Sequence, residues 1–185
     1  PPLEKTLMFR ATLSAALLLC SSGMACGERE IIYQDREVFF DYDPDEAQAS
    51  MEKTIQAGIY EEQLFRRLET QDELHIVAGF QGGIWAHISL RITGLRSRGR
   101  IEASLSLGED GSGATVGETG FPIKLVRTAE GFLEAYDIPI PVGDRGSAIA
   151  DVAQYFGSPA LLTVRYSTPD FEPLETQLIV VLERG

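Results

Sequence analysis

The fold of this chain is decided by the stretch Ile84-Trp85-Ala86-His87-Ile88-Ser89-Leu90-Arg91-Ile92. Aliphatic side chains occupy every second position of this stretch, and polar or aromatic side chains lie between them. Successive side chains of a β-strand point to opposite faces of the sheet, so a period of two predicts a strand with one buried face. Trp85, His87 and Arg91 are predicted to share the outer face of this strand.

Other segments with the same period precede and follow this strand. They are residues 74–78, 101–107, 121–128, 132–140, 161–167 and 174–182. Clusters of glycine, proline and aspartate separate them, as turns require. About seven short strands in roughly 115 residues are typical of an immunoglobulin-like sandwich. We therefore predict that residues 71–185 form an all-β domain, an immunoglobulin-like antiparallel β-sandwich. Residues 149–156 are predicted to form a short helix between its strands.

The glycine-rich residues 108–120 are predicted to form a long hairpin loop. The part from Gly108 to Gly113 carries two carboxylates and precedes no helix, which argues against a phosphate cradle. The triplet Gly111-Ser112-Gly113 also lacks the spacing of the hydrolase nucleophile elbow. Because no other pattern indicates catalysis, we predict that the protein is not an enzyme and uses no cofactor.

Residues 26–70 are rich in charge and are predicted to form an acidic tether with one or two short helices. Ala47, Met51 and Ile55 recur at a helical spacing. Residues 59–68 also fit a helix, although the same residues equally fit a first strand. The segment from Asp41 to Glu52 has the oxygen spacing of an EF-hand, but it lacks the glycine of the sharp turn, so we interpret it as an acidic helix start.

The first 25 residues are predicted to be a secretory signal peptide. One positive charge follows Met8, and the apolar run 11–20 leads into small residues. This run of about ten residues is too short for a bilayer-spanning helix, which takes roughly 20. Residues 1–7 are interpreted as lying upstream of the true start.

The junction Gly23-Met24-Ala25-Cys26 resembles the lipobox of bacterial lipoproteins, although that family usually has leucine where Gly23 stands. The resemblance implies a lipid on Cys26, which would hold the protein at the membrane. Gly27 at the second position resembles lipoproteins destined for the outer membrane. Gly23 and Ala25 also fit an ordinary signal peptidase site, so a secreted or periplasmic protein is the alternative.

Over most of the mature length, the chain resembles uncharacterised Gram-negative bacterial lipoproteins with one immunoglobulin-like domain. They share a signal, a cysteine, a short tether and a Gln-Gly-Gly turn before a long strand, here Gln81-Gly82-Gly83. The resemblance implies a place in the cell envelope, facing the periplasm or the surface. We expect a non-catalytic binding or envelope-assembly module whose partner is a protein or a glycan.

The outer face of the decisive strand supplies the candidate binding residues Trp85, His87 and Arg91. An exposed aromatic ring beside hydrogen-bonding groups suits contact with sugars or proteins. The formal net charge of −12 disfavours nucleic acid and anionic membrane surfaces as partners, because both repel acidic proteins.

A hairpin centred on Gln81 would place His75 opposite His87 and Val77 opposite Trp85. Directly opposed Cβ atoms lie about 4.5–5.5 Å apart, close enough for two imidazoles to bind one cation. The alternative function is therefore a periplasmic domain that binds zinc or copper through this pair. Two ligands do not complete a site, and the same pair also fits a plain sheet surface.

Overall fold

The computed structural model describes residues 51–79, 82–144 and 146–185. The predicted signal peptide, Cys26 and most of the Asp41–Glu52 segment lie outside these residues. Within them the chain forms ten strands and a short helix: β1 (Thr54–Glu61), β2 (Leu64–Arg67), β3 (Asp72–Ala78), β4 (Ile84–Thr93), β5 (Arg98–Leu107), β6 (Thr115–Lys124), β7 (Val126–Arg127), β8 (Leu133–Pro141), α1 (Ile149–Val152), β9 (Pro159–Thr168) and β10 (Phe171–Arg184).

The strands form one curled, mixed sheet in the order β2-β1-β4-β3-β10-β9-β5-β6. Strand β8 pairs with the other edge of β4, and β7 pairs with β8. A single bridge between Gly117 and Val142 brings β6 next to the end of β8, so the sheet curls back on itself. The prediction of an all-β fold is confirmed.

The sheet is not purely antiparallel, which corrects one part of the prediction. Strands β3 and β10 run parallel, with Leu74 opposite Leu182. Six other strands lie between β3 and β10 in sequence, so no hairpin turn joins the two and none forces them to run antiparallel. The alternating pattern of β10 did not indicate this parallel pairing, because alternation fits either strand direction.

The predicted helix in residues 59–68 is wrong, and its strand alternative is correct. Strands β1 and β2 form a hairpin, and β1 also pairs with β4, so the β domain begins at Thr54 rather than at residue 71. Glu62 and Gln63 form the turn with φ of 50° and 67°. This left-handed pair is the geometry of a tight hairpin turn, which asparagine and glycine usually occupy.

The loop between β5 and β6 is shorter than predicted, because β6 already begins at Thr115. Its Gly108–Gly113 part is a turn, as predicted. Asp110 Oδ1 accepts a hydrogen bond from the Ser112 backbone nitrogen at 3.0 Å, and this bond lowers the pKa of Asp110. The predicted short helix is also confirmed as α1, which a 3-10 turn at Ala153–Tyr155 extends.

The inward side chains of the sheet form one hydrophobic core. Strand β4 contributes five of them, as its pattern predicted: Ile84, Ala86, Ile88, Leu90 and Ile92. Tyr166 is fully buried, and its hydroxyl donates to the Arg96 carbonyl at 2.9 Å. Burial of each aliphatic side chain contributes about 1.5–3 kcal/mol to the stability of the fold. The inward faces of the strands therefore stabilise the domain, and candidate functional residues are sought on the outer faces.

Candidate functional site

The outer face of β4 carries the three residues that the sequence singled out. Trp85, His87 and Arg91 occupy alternate positions between the buried aliphatics, and all three are half-buried. The period of two therefore placed them on the correct face. The surroundings of the three side chains differ.

Trp85 covers the turn that joins β3 to β4. A Cβ atom built on Gly79 would lie 2.7 Å from the indole nitrogen, and one on Gly83 would lie 3.1 Å from it. Strands on both sides flank the ring, because Trp85 pairs with Val77 in β3 and with Pro141 in β8. The glycines of the turn thus make room for a large ring at this end of the face.

The predicted hairpin register is correct for the three residue pairs of the β3–β4 ladder, but the ladder does not include the two histidines. Val77 lies opposite Trp85 and Ile76 opposite Ala86, which leaves His75 and His87 one residue beyond the last pair. The exposed His75 has its Nε2 atom 3.8 Å from Glu73 Oε2. Among the described residues, no group of three or more His, Cys, Asp or Glu side chains is placed to hold a metal ion.

Arg91 belongs to a cluster that the sequence did not predict. Its guanidinium carbon lies 4.4 Å from the ring centroid of Phe65 and 4.4 Å from that of Phe132. Its Nε donates to Glu134 Oε1 at 2.5 Å, directly across the β4–β8 pair. A guanidinium over an aromatic face is attracted by the ring, so two rings and one carboxylate fix this side chain.

Glu134 is the charged centre of this cluster and is only 3% exposed. Its Oε1 accepts from Arg91, and its Oε2 accepts from the Tyr136 hydroxyl at 2.5 Å. A buried carboxylate is costly unless it is paired and hydrogen-bonded, and here both oxygens have a donor. The hydrogen bond to Glu134, followed by burial and the nearby negative charge, raises the pKa of Tyr136 to about 12.

Tyr60 is the solvent-facing member of the group. Its ring centroid lies 4.3 Å from that of Tyr136, with the planes tilted by 44°. The Tyr60 side chain is 40% exposed, whereas Tyr136 is half-buried. We define the aromatic–arginine cluster by six residues: Tyr60, Phe65, Arg91, Phe132, Glu134 and Tyr136.

Gly58 makes the cluster sterically feasible. A Cβ atom at this position would lie 2.6 Å from two ring carbons of Phe65 and 2.5 Å from the Arg66 carbonyl oxygen. Gly58 pairs with Ser89 in β4 and with Arg67 in β2. Because no side chain stands on this part of β1, the ring of Phe65 reaches across the strand to Arg91.

Two further concavities lie away from this face. A groove of about 330 Å³ runs across β5, β6, β9 and β10, where Arg165 lies in register between Glu102 and Glu175. A cleft of about 360 Å³ lies where β6 meets the end of β8, and Glu118, Asp144 and Tyr155 line it. Neither brings together residues that the sequence predicted as functional.

No protein-family model matches the chain, and no curated protein matches it. Within the part of the chain that the structure describes, no helix is long and apolar enough to cross a membrane.

The sequence missed most of the aromatic–arginine cluster for a specific reason. The spacing of two residues between Glu134 and Tyr136 predicts that both lie on one face of a strand. The alternation in β4 likewise predicts the face on which Arg91 lies. Their contact depends on β4 and β8 being neighbours, which local periodicity does not reveal. Phe65 was hidden because its segment also fits a helix. The sequence offered one signal for this contact, which was an outward arginine (Arg91) and an outward glutamate (Glu134) on two amphipathic strands.

Proposed function

We propose that this β domain is a non-catalytic binding or assembly module of the cell envelope, and that its partner contacts the outer face of β4 around Tyr60 and Trp85. The observation that carries the proposal is the ring of Tyr60, which is 40% exposed and packs against the ring of Tyr136, whose hydroxyl is hydrogen-bonded to Glu134. Rigid aromatic groups supply contact area at little entropic cost, which makes them common anchors in interfaces.

The ion pair behind these rings supports a binding role for the face. Arg91 and Glu134 hold the aromatic side chains in place before a partner arrives, so little ordering is required on binding. Arg91 therefore acts as a positioning residue, whereas Tyr60, Trp85 and His87 would touch the partner. A protein or a glycan fits this surface, because both are recognised by aromatic rings beside polar groups.

We further propose that Cys26 carries a lipid and that the domain is held at the outer membrane, facing the periplasm or the surface. The lipobox-like junction before Cys26 supports this. The test is metabolic labelling with a fatty acid in cells that express the chain or its Cys26→Ser variant. Label and membrane association should both be lost in the variant. A Cys26→Ser protein that stays labelled would show that the lipid is not on Cys26, and an unlabelled parent chain would favour the secreted alternative.

The partner surface is tested in intact cells with a photo-reactive amino acid placed at one position at a time. Positions 60 and 85 are expected to give a discrete cross-linked product that includes a protein or a carbohydrate. Position 109, in the exposed β5–β6 turn, is the control. Equal cross-linking yields from all three positions would show that the partner does not bind this face.

Metal binding by His75 and His87 is the second candidate, because the β3–β4 ladder ends at Ile76 and Ala86, one residue before this pair. Thermal melts with Zn²⁺ or Cu²⁺ against a chelator test it. Binding at 100-fold above Kd stabilises the folded form by about 2.7 kcal/mol. A shift in Tm that His87→Ala abolishes would establish the metal function, and an absence of any shift would reject it.

A further inference from the structure

A cluster of positive charge lies at the start of β5, outside the face described above. Three arginines occur within five residues, at positions 96, 98 and 100. Strand β6 ends at Lys124, which lies directly opposite Arg98 in the β5–β6 ladder. We define the basic corner as Arg96, Arg98, Arg100 and Lys124.

The pair formed by Arg98 and Lys124 opposes the stability of the sheet. Like charges directly opposite each other on neighbouring strands repel. Both side chains are exposed, and neither makes an ion pair with any residue that the structure describes. An arrangement that costs stability and has no partner among the described residues is explained if an anion from outside them neutralises it.

The two other arginines of the corner are already neutralised by carboxylates. Arg96 Nε lies 2.9 Å from Asp170 Oδ2, and Arg100 Nε lies 3.1 Å from Glu102 Oε1. These ion pairs are exposed, and no carboxylate in the described part of the chain compensates the charges of Arg98 and Lys124. The corner is therefore locally positive although the chain has a formal net charge of −12.

The corner lies beside the point where the chain enters the domain. A Cβ atom built on Gly94, two residues before Arg96, would lie 2.8 Å from the Met51 carbonyl oxygen. Lys53 adds a further cation at this end, with its ammonium 4.3 Å from the ring centroid of Phe171. The first described residues of the chain therefore lie on the side of the domain that carries the basic corner.

We propose that the basic corner binds the phosphate groups of an anionic phospholipid bilayer and so orients the domain on the membrane. This inference rests on the proposed anchor at Cys26, which would hold this end near the lipid. Charge complementarity supports it, because each Lys or Arg close to an anionic leaflet strengthens binding severalfold. Screening over about 8 Å at physiological ionic strength keeps distant carboxylates from cancelling this attraction.

The test uses the chain from residue 26 onward with Cys26→Ser, so that neither a lipid nor the apolar run of the predicted signal peptide contributes to binding. Its partition is measured onto vesicles of phosphatidylcholine alone and of phosphatidylcholine mixed with phosphatidylglycerol. The additional changes Arg98→Gln and Lys124→Gln are expected to reduce partition onto the anionic vesicles about thirtyfold, at about 1 kcal/mol for each cation. The matched control is Arg67→Gln with Arg184→Gln, which removes the same charge at exposed positions outside the corner and should leave partition nearly unchanged.

A second variant separates loss of binding from loss of folding. Lys124→Glu creates an opposite-charge pair with Arg98, so it should raise Tm while it weakens vesicle binding. Equal partition onto both vesicle types would overturn the proposal, as would an equal loss in the control. Competition by inorganic phosphate at constant ionic strength would also overturn it, because that result assigns a discrete phosphate site. Failure of the anchor is read separately, from the fatty-acid labelling of Cys26.

Discussion

Arg91 and Glu134 form a cross-strand ion pair with 2.5 Å between Nε and Oε1, and the carboxylate is almost completely buried. Phe65 approaches the guanidinium from the side of β1, and Phe132 approaches it from the side of β8. The pair therefore links the β1–β2 hairpin to the rest of the sheet. It also fixes Tyr136, against which the exposed ring of Tyr60 stacks.

Removal of Arg91 should destabilise the protein strongly. In Arg91→Ala the carboxylate of Glu134 stays buried without its cation, and such changes cost about 3–5 kcal/mol. Replacing both partners by apolar groups, as in Arg91→Met with Glu134→Leu, should restore most of this loss because no buried charge remains. Urea unfolding of the two variants measures the difference. A loss below about 1 kcal/mol in Arg91→Ala would show that the pair is only a surface contact.

Tyr136 should make the stability depend on pH in the alkaline range. Its pKa is raised to about 12 in the folded protein, whereas an unfolded tyrosine titrates near 10. The contribution of this group is therefore complete below about pH 10 and is lost as the pH rises towards 12. Urea midpoints from pH 9 to 12 should fall less steeply in Tyr136→Phe. Identical slopes in both proteins would contradict the Tyr136–Glu134 hydrogen bond.

Gly58→Ala should destabilise the hairpin face. The new Cβ atom would overlap the ring of Phe65 and the Arg66 carbonyl oxygen, and overpacking of this kind costs about 1–3 kcal/mol. Gly120→Ala is the matched control, since the nearest atom is the mobile end of Arg100, at 3.1 Å. Thermal melts should show a clear drop in Tm only for Gly58→Ala. A similar Tm for both variants would argue against the close approach of Phe65.

The β1–β2 turn offers a stabilising substitution. Glu62 and Gln63 both have positive φ, which costs roughly 1 kcal/mol for an ordinary residue. The double change Glu62→Asn and Gln63→Gly supplies the residues that this turn geometry favours, so Tm should rise by several degrees. Glu62→Ala with Gln63→Ala removes the same side chains without this benefit. Should the alanine variant be equally stabilised, the left-handed turn would not be the cause.

The sequence predicted what depends on local alternation. The buried face of β4 and the register of Val77 opposite Trp85 both follow from a period of two and a short turn. The hairpin of β1 and β2 was obscured because Tyr60 and Leu64 also recur at helical spacing. Its turn was obscured because Glu62 and Gln63 are not the residues that usually mark one.

The alternating pattern does not predict which strands that are distant in sequence pair with each other, or in which direction. Nothing local indicates that β8 lies beside β4, so the contact of Arg91 with Glu134 was not predicted. The parallel entry of β10 beside β3 has the same origin, because its alternation fits either direction. The candidate site was thus predicted as a face of one strand, and the partners of that face came from the structure.

The most direct test of the account is the cross-linking yield from position 60 in cells that express Arg91→Lys. Lysine keeps the charge near Glu134, but it lacks the planar guanidinium that contacts Phe65 and Phe132. We expect a folded protein whose cross-linking yield falls severalfold, because the ring at position 60 is no longer held in place. An unchanged yield with an unchanged Tm would contradict the claim that the Arg91–Glu134 pair organises a binding face.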